Sequence, residues 1–256
     1  MEEQNLTEIR RTNQRGGRCL SIVDLVEDNT ISPEAAGLGW TLLDMGDSFL
    51  TGAVPGGAGK TTLMAAFLNL LPPGEEIVTA ADKESIDGAR IRSDNSPVCL
   101  LAHEIGQGPY YAYIWGEAAR RFFGFCGENR RTATCLHADY PEQTDGILQE
   151  CGVSQEGRQA IGFHLYIRAF GGIRSEHRVT SFFCRLNGEL ESVYEWREDS
   201  DTLERVRERK EIANALSSRP EEMLGRWSKH TQEIERMSAD GVVDMREVRS
   251  RVLEAY

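Results

Sequence analysis

The glycine-rich stretch from Gly52 to Thr62 constrains the fold of this chain more than any other part of its sequence. It reads GAVPGGAGKTT and follows the short apolar run SFLT, which predicts a strand. Apolar side chains with helical spacing follow it and predict a helix: Leu63, Met64, Phe67, Leu68 and Leu71. A glycine-rich turn from a strand into a helix gathers backbone N–H groups around an anion. The stretch therefore predicts a phosphate-binding loop in an α/β fold.

The loop departs at one position from the pattern G-x-x-x-x-G-K-[ST] of nucleotide-binding loops. When the pattern is aligned on Lys60, its first glycine falls on Val54. A valine requires a negative φ and adds bulk, so we expect an altered or strained entry to the loop. The residues that we expect to contact a nucleotide are Pro55, Gly56, Gly57, Ala58, Gly59, Lys60, Thr61 and Thr62.

Two of these residues have a chemical role in nucleotide binding. Lys60 supplies a positive charge to the β and γ phosphates, and the hydroxyl of Thr61 is a ligand for Mg²⁺. The alternative is a glycine-rich turn that carries a solvated lysine. The strand before the loop and the apolar helix after it favour nucleotide binding.

Strands and helices alternate after the loop, which predicts a mostly parallel α/β sheet. EIVTAA, PVCLLA and TATCLHA are predicted strands, and PEQTDGILQECG and the aromatic run PYYAYIWGEAARRFFGFCG are predicted helices. Before the loop we expect two short helices, the second capped by Thr30 or Ser32 with Pro33 at its first position.

The pattern changes in the second half of the chain. GFHLYIRAF and RVTSFFCRLNGELESVYEW predict consecutive antiparallel strands, with a hairpin turn at Asn187-Gly188. From about Asp199 we expect charged helices, one of them starting near Pro220. The predicted organisation is therefore a flexible tail at 1–18, a nucleotide-binding core at 19–198 and a helical C-terminal extension at 199–256.

Three segments resemble the type II/type IV secretion-system ATPases, also called traffic ATPases. GGAGKTTLMAAFLNLLPPGEEIVTAAD is similar to the loop, helix and next strand of that family, including its PPGE link. VCLLAHEI resembles the family's Walker B strand, which ends in Gly-Glu-Ile, and TATCLHAD resembles its histidine box. The resemblance covers about Ser48 to Asp145 and extends more weakly through the hairpin.

The resemblance implies a RecA-like P-loop core, ATP and Mg²⁺ as ligands, homo-oligomeric rings, and ATP hydrolysis coupled to a pilus or secretion machine. It makes Glu104 the Walker B glutamate, which supports Mg²⁺ through water or the attacking water itself, and His137 a sensor of the γ-phosphate. Both residues follow predicted buried strands, whose carboxyl ends face the ligand crevice of such sheets. The alternatives are a solvated strand-end carboxylate and a structural, hydrogen-bonded histidine.

The chain departs from the family's acidic box, which reads Ile-Glu-Asp. Here the glutamate is Ala81, while Asp82 remains as a candidate metal ligand and Glu84 lies close enough to substitute. His103 replaces the glycine before Glu104, either as a surface residue or as another site residue.

The family's arginine after Walker B is also replaced, here by Gly106. Five other arginines are candidates to replace it, although a surface position is the commoner role for each: Arg130, Arg131, Arg168, Arg174 and Arg178. Only about 50 residues precede the loop, so we expect the family's N-terminal domain to be missing. These departures predict a slow or partner-activated ATPase; the alternative is a nucleotide-binding regulatory module with little hydrolysis.

Composition indicates which kinds of partner the chain binds and in which compartment it works. The formal net charge of −12 disfavours nucleic-acid binding, because the chain repels phosphate backbones. There is no apolar run long enough to span a membrane and no signal sequence, which predicts a cytoplasmic protein. The resemblance to secretion-system ATPases implies a peripheral position at the inner face of a membrane machine. None of the six cysteines forms a CxxC pair, so we expect reduced thiols. A small-molecule kinase is disfavoured, since no arginine-rich lid is evident.

Overall fold

The computed structural model describes residues 1–13, 16–90, 96–127, 129–171 and 176–256. Arg174, one of the arginines considered above, lies outside the described residues.

Within these ranges, ten strands form one mixed sheet. In chain order they are β1 (Ser48–Gly52), β2 (Glu76–Thr79), β3 (Val98–Leu101), β4 (Glu104–Ile105), β5 (Tyr113–Ile114), β6 (Arg130–Leu136), β7 (Ile161–Phe170), β8 (Glu176–Leu186), β9 (Glu189–Arg197) and β10 (Thr202–Arg205). The main sheet order is β10-β9-β8-β7-β1-β6-β3-β2, while β4 pairs with β5 and β6.

The pairing from β7 through β1, β6 and β3 to β2 is parallel, and the pairing from β7 through β8 and β9 to β10 is antiparallel. The predicted fold class, an α/β core with a mostly parallel sheet followed by an antiparallel hairpin region and C-terminal helices, is therefore confirmed. Strand β6 lies between β1, which carries the loop, and β3. The carboxyl ends of these three strands thus meet at one edge of the sheet.

Eleven helices are present in the described part of the chain. They are α1 (Glu2–Arg11), α2 (Ile22–Glu27), α3 (Pro33–Asp44), α4 (Lys60–Leu68), α5 (Lys83–Arg90), α6 (Glu117–Phe123), α7 (Pro141–Glu150), α8 (Gln155–Gln159), α9 (Arg209–Leu216), α10 (Pro220–Ala239) and α11 (Met245–Glu254).

The sheet is covered on both faces, which explains why β1 and β3 are buried along their whole length. One core contains side chains of α2, α3, α4, α10 and α11, among them Trp40, Phe67 and Trp227. The other contains side chains of α5, α6 and α7, among them Phe122 and Leu148. The C-terminal helices therefore share a hydrophobic core with α4, the helix that follows the loop.

Several local predictions are confirmed. Ser32 caps α3 by accepting from the N–H of Ala35, and Pro33 is the first residue of that helix. Asn187 and Gly188 form the hairpin turn with φ values of 51° and 92°. No helix in the described ranges is long and apolar enough to cross a membrane.

The prediction of a flexible tail at residues 1–18 is wrong, because α1 packs against the sheet. Leu6 and Ile9 are buried in the same core as the loop helix. The side-chain amide of Asn5 donates to the carbonyl of Glu75 at 2.8 Å and accepts from the N–H of Ile77 at 2.9 Å. Asn5 thus satisfies one backbone group just before β2 and one within it, at an edge of the sheet.

Two other predicted elements need correction. The aromatic run 109–127 is a helix only over α6; its first part turns at Ala112, which has a φ of 57°, and pairs as β5. The segment after Asp199 first adds the strand β10 to the hairpin region, and helix begins only at Arg209.

Candidate nucleotide-binding site

The loop between β1 and α4 depends on glycine at two positions. Gly57 and Gly59 have φ values of 87° and 101°, which side chains rarely allow. A Cβ on Gly59 would also lie 3.1 Å from Cδ1 of Ile167 and 3.3 Å from Nδ1 of His177. These glycines let the chain turn so that α4 begins at Lys60, with the helix N-terminus facing the loop.

The backbone of Val54 is not strained, although a valine in place of the glycine of the pattern predicts strain there. It is not among the described non-glycine residues with positive φ, and 47% of its surface is exposed. Its N–H donates to Oδ1 of Asp139 at 2.9 Å, and its carbonyl oxygen lies 2.8 Å from Nδ1 of His137. The entry to the loop is therefore held by the residues that follow β6, and the first glycine of the pattern is dispensable for this backbone.

Lys60, Glu104 and His137 come together at the carboxyl edge of the sheet. The ammonium Nζ of Lys60 lies 3.5 Å from Nδ1 of His137, and Nε2 of His137 lies 3.2 Å from Oε1 of Glu104. Lys60 and Glu104 are both largely buried, whereas the side chain of His137 is nearly half exposed. The three residues assigned by the family resemblance are thus neighbours in space.

The shorter contact of His137 decides which role Nδ1 plays. Nδ1 faces the carbonyl oxygen of Val54 at 2.8 Å and the ammonium of Lys60 at 3.5 Å. A carbonyl oxygen only accepts and an ammonium only donates, so one ring nitrogen cannot satisfy both. We assign a proton to Nδ1, which then donates to Val54, because 2.8 Å is a normal hydrogen-bond length and 3.5 Å is at the limit. Nε2 donates to the carboxylate of Glu104 only when it carries a second proton.

Tyr113 is a site residue that the sequence analysis missed. Its hydroxyl is hydrogen-bonded to Glu104, and burial together with that carboxylate raises the pKa of Tyr113 to about 12. The hydroxyl therefore keeps its proton and donates to Glu104. Recognising β5 inside the aromatic run would have placed Tyr113 beside Glu104, because the two residues are partners in the β4–β5 register.

Polar side chains under the loop hold the start of α4. Thr51 donates from Oγ1 to the carbonyl of Lys60 at 3.0 Å and lies 3.1 Å from Sγ of Cys135. The side chain of Thr61 also hydrogen-bonds to Cys135. Burial raises the pKa of Cys135 to about 11, so this cysteine remains a thiol and serves as a packing and hydrogen-bonding group.

The structure does not bring Asp82 to this site. Its carboxylate accepts from the N–H of Ser85 at 2.8 Å, which caps α5 and lowers the pKa of Asp82, and its side chain is exposed. Glu84 is exposed on the same helix. The described residues contain no cluster of three or more His, Cys, Asp or Glu side chains suited to a metal ion. The oxygen donors that remain at the site, on Thr61 and Glu104, are too few to bind Mg²⁺ by themselves. They fit the usual arrangement beside nucleotides, in which Mg²⁺ is held by one or two protein groups together with the phosphates.

Among the described arginines considered above, Arg168 approaches a residue that holds the loop. Its Nη2 is 4.0 Å from Oδ2 of Asp139, the carboxylate that holds Val54. Arg131 pairs with the buried Glu75 at 2.6 Å, and Arg178 pairs with Asp201 at 2.7 Å. Arg130 is at the opposite end of β6 from His137 and donates to the carbonyl of Ser96. Arg131, Arg178 and Arg130 are therefore structural.

A cavity of about 390 Å³ opens beside the loop. Gly57, Gly59, Lys60, Thr61 and Thr62 form one part of its wall. The segment between α1 and α2 forms another part. Four of its lining residues belong to the predicted flexible tail, Thr12, Asn13, Gly16 and Arg18, and Cys19 and Leu20 follow them. The volume is within the range of about 300–1,000 Å³ that small-molecule sites occupy.

His103 also lines this cavity. It is 2% exposed and packs edge-on against the ring of Tyr111 at 5.4 Å, so it is not a surface residue. Burial lowers the pKa of His103, which keeps its ring neutral at physiological pH. Of the two alternatives that the sequence left open, the structure favours a residue of the site.

The fold and the loop define an α/β protein whose central strand passes through a glycine-rich turn into a helix that begins at a lysine. Among solved structures, the VirB11 ATPase from the Brucella suis type IV secretion system is similar, with a TM-score of 0.44 and 12% identity over 72% of this chain and 56% of that one. The Legionella pneumophila ATPase DotB is similar with a TM-score of 0.37 and 10% identity, over 81% and 61% of the two chains.

The present chain thus spans about three-fifths of the length of each of those proteins. No protein-family model matches it, and no curated protein matches its sequence. The case for a nucleotide site therefore rests on the residues of this chain.

Proposed function

We propose that this protein binds ATP and ADP at the loop 55–62 and hydrolyses ATP with Mg²⁺, slowly or after activation by a partner. The observation that carries the proposal is the convergence of Lys60, Glu104 and His137 beside a glycine loop. The distances are 3.5 Å from Lys60 to His137 and 3.2 Å from His137 to Glu104. A lysine, a carboxylate and a histidine at the ligand edge of a parallel sheet provide phosphate binding and the positioning of water.

Each of these side chains has a distinct task in the proposal. Lys60, at the first turn of α4, carries the charge that holds the β and γ phosphates. Thr61 supplies the hydroxyl ligand for Mg²⁺, which neutralises charge on the phosphate oxygens when bound. Glu104, which accepts from Tyr113 and lies beside His137, orients the attacking water. His137 connects Glu104 to the backbone of the loop.

The replaced residues explain why we propose slow turnover. Ala81 and Gly106 provide neither a second carboxylate nor an arginine next to Glu104. An arginine that stabilises transition-state charge contributes about 10³–10⁵ in rate in related phosphoryl-transfer enzymes. Arg168, which lies 4.0 Å from the carboxylate that holds Val54, is one candidate for such a group, and a partner or a second copy is another source.

A regulatory module that binds nucleotide and turns it over poorly is the second candidate. The position of Asp82 favours it, because the carboxylate that remains in the acidic box caps α5 rather than facing the cavity. In this case nucleotide would change partner binding or oligomer size.

The sequence resemblance supports a place in a secretion or pilus-type machine. We propose that the protein works in the cytoplasm, peripherally at a membrane assembly, as a homo-oligomer. Its strongly negative charge supports protein partners over nucleic acid.

The test is phosphate release from Mg-ATP by wild type, Lys60→Ala and the matched control Lys210→Ala, which alters an exposed lysine outside the cavity lining. We expect turnover in wild type and Lys210→Ala, and turnover at the buffer level in Lys60→Ala. Equal turnover in all three proteins would overturn the assignment of the loop. Tight ATP binding that needs Lys60, without release above buffer, would support the regulatory module.

A further inference from the structure

His177, in β8, contacts the loop from the antiparallel part of the sheet. Its Nδ1 lies 2.9 Å from the carbonyl oxygen of Ala58. A carbonyl oxygen only accepts, so Nδ1 carries a proton and donates it to this bond. A Cβ on Gly59 would lie 3.3 Å from the same nitrogen, so the glycine leaves room for the imidazole to reach the loop. The loop is thus held at a second point, four residues beyond the contact between His137 and Val54.

This hydrogen bond fixes the orientation of the peptide unit between Ala58 and Gly59. The unit is trans, and in a trans peptide the C=O and the N–H point in opposite directions. Because His177 holds the carbonyl oxygen, the N–H of Gly59 points away from the histidine. Within the described residues this N–H donates to no other group, so it is available to a ligand. The contact of His137 has a different effect, because the carbonyl that it holds is followed by Pro55, which has no N–H.

The same peptide unit has a second accessible orientation. Gly59 has a φ of 101°, and glycine adopts positive and negative φ about equally readily. Rotation of the unit would exchange the positions of its two polar groups, so that the carbonyl oxygen of Ala58 would occupy the side on which the N–H now lies. An N–H attracts a phosphate oxygen and a carbonyl oxygen repels it. The hydrogen bond from His177 therefore favours the orientation that binds anions.

We propose that His177 is a positioning residue of the nucleotide site, which keeps the N–H of Gly59 directed at the phosphates by holding the carbonyl of Ala58. This inference rests on the proposed function and adds to it the side chain that controls whether the loop is ready to bind. His177 acts through the backbone of the loop, so its effect is the same for every ligand that carries the phosphates.

The backbone that carries His177 is fixed independently of the loop. The N–H of Val179 donates to the carbonyl of Thr30, between α2 and α3, at 2.7 Å. The guanidinium of Arg178 binds the carboxylate of Asp201 at 2.7 Å. The imidazole is therefore in place before a ligand arrives, and binding does not have to reorient the peptide unit.

The experiment measures the affinities of ATP and inorganic triphosphate by titration calorimetry with Mg²⁺. His177→Leu removes the donor, whereas His177→Asn keeps an N–H donor close to the position of Nδ1. The matched control is Thr180→Val, which removes another side-chain hydrogen bond of β8 to a backbone carbonyl, that of Tyr166, at a position that does not line the cavity. Lys60→Ala tests the loop itself, and circular dichroism checks that each variant is folded.

We expect His177→Leu to weaken the binding of ATP and of inorganic triphosphate by the same factor, about three- to tenfold, which is the effect of one neutral hydrogen bond. His177→Asn should restore most of the affinity for both ligands, and Thr180→Val should bind both as wild type does. Lys60→Ala should weaken both ligands more than His177→Leu, because it removes a charge.

Four results would overturn the inference. Wild-type affinities in His177→Leu, with binding lost in Lys60→Ala, would leave the proposed function intact and remove the role of His177. A loss confined to ATP would mean that His177 contacts the nucleoside instead of positioning the loop. Equal losses in His177→Leu and His177→Asn would mean that the shape of the ring matters and its donor does not. Absence of binding of both ligands by wild type would remove both proposals.

Discussion

His137 and Lys60, 77 positions apart in the chain, meet at the loop with 3.5 Å between Nδ1 and Nζ. The imidazole donates to the carbonyl of Val54 and approaches Glu104 with its other nitrogen, so it lies between the loop, the lysine and the carboxylate. A phosphate that entered between Lys60 and His137 would disturb both contacts of the ring. This arrangement makes the histidine a connection between ligand binding and the position of Glu104.

Replacing His137 should affect hydrolysis more than binding. In His137→Ala the loop keeps Lys60 and its glycines, so we expect ATP affinity within about threefold of wild type and phosphate release at least about tenfold slower, within the range for positioned acid–base groups. Steady-state phosphate release and calorimetry measure the two effects. Because His137 acts through Glu104, the double variant His137→Ala/Glu104→Gln should be no slower than Glu104→Gln. Additive losses would show that the two side chains act independently.

Val54→Gly should leave nucleotide binding nearly unchanged, since the loop entry already has an ordinary backbone conformation. We expect an affinity within about twofold and a free energy of unfolding lower by roughly 0.5–1 kcal/mol, because glycine adds freedom to the unfolded chain. Gly59→Ala is the contrasting variant: its φ of 101° and the 3.1 Å approach to Ile167 should strain the loop and weaken ATP binding. Urea unfolding and calorimetry measure both. A large gain in affinity for Val54→Gly would mean that the valine does impair the loop.

The core around the loop could be predicted from sequence because its signals are local. The glycines, Lys60 and the apolar spacing of α4 lie within twenty residues, and each flanking strand is a continuous apolar run. Glu104 and His137 follow such runs, so their shared edge of the sheet followed from strand direction. Register and sheet order then determined how close they lie.

The N-terminal segment could not be predicted in this way, because its structure depends on contacts far along the chain. Asn5 is polar, yet it is buried against Glu75, which precedes β2, and Ile77 in β2, some seventy residues away. The aromatic run shows the opposite error. Its composition allows a helix, but the chain turns into β5 at Ala112, which has a positive φ. Alanine rarely adopts a positive φ, so the sequence does not predict this turn.

Asn5→Ala should destabilise the protein by about 2–4 kcal/mol, since the buried carbonyl of Glu75 and N–H of Ile77 would lose their hydrogen-bond partner. The control Thr7→Ala alters an exposed residue of the same helix and should cost less than about 0.5 kcal/mol. Urea unfolding gives both values. Similar stabilities for the two variants would mean that α1 does not contribute to the folded core.

Substitutions of Arg131 and Arg168 should have different effects, the first on the free energy of unfolding and the second on phosphate release. Arg131 is buried and binds both carboxylate oxygens of Glu75, at 2.6 and 2.7 Å. Arg131→Met leaves Glu75 as an unpaired buried carboxylate and should cost about 3–5 kcal/mol, with ATP affinity of the folded protein unchanged. Arg168→Ala alters a half-exposed side chain and should leave stability within about 0.5 kcal/mol. If Arg168 acts on phosphate, phosphate release from ATP is slower in Arg168→Ala and unchanged in Arg131→Met. Slower release in Arg131→Met with unchanged stability would reverse the two roles.

His164 should make the protein less stable in mild acid. Its ring is buried in β7, with Nδ1 3.2 Å from the hydroxyl of Tyr166 and no hydrogen-bond partner for Nε2 among the described residues. Burial lowers the pKa of His164 from 6.5 to about 3, so between these values the unfolded chain binds the proton and the folded chain does not. Stability is therefore present above the unfolded pKa and is lost as pH falls.

From pH 7 to pH 5 this one group should remove about 2 kcal/mol from the free energy of unfolding. In His164→Phe, which keeps a ring of similar shape and does not titrate, the change between the two pH values should be smaller by about that amount. Urea unfolding of both proteins at pH 7 and pH 5 measures the difference, and the comparison cancels the contribution of other groups. The same pH dependence in both proteins would mean that His164 is protonated inside the folded protein, which would require a partner for Nε2 that the fold does not supply.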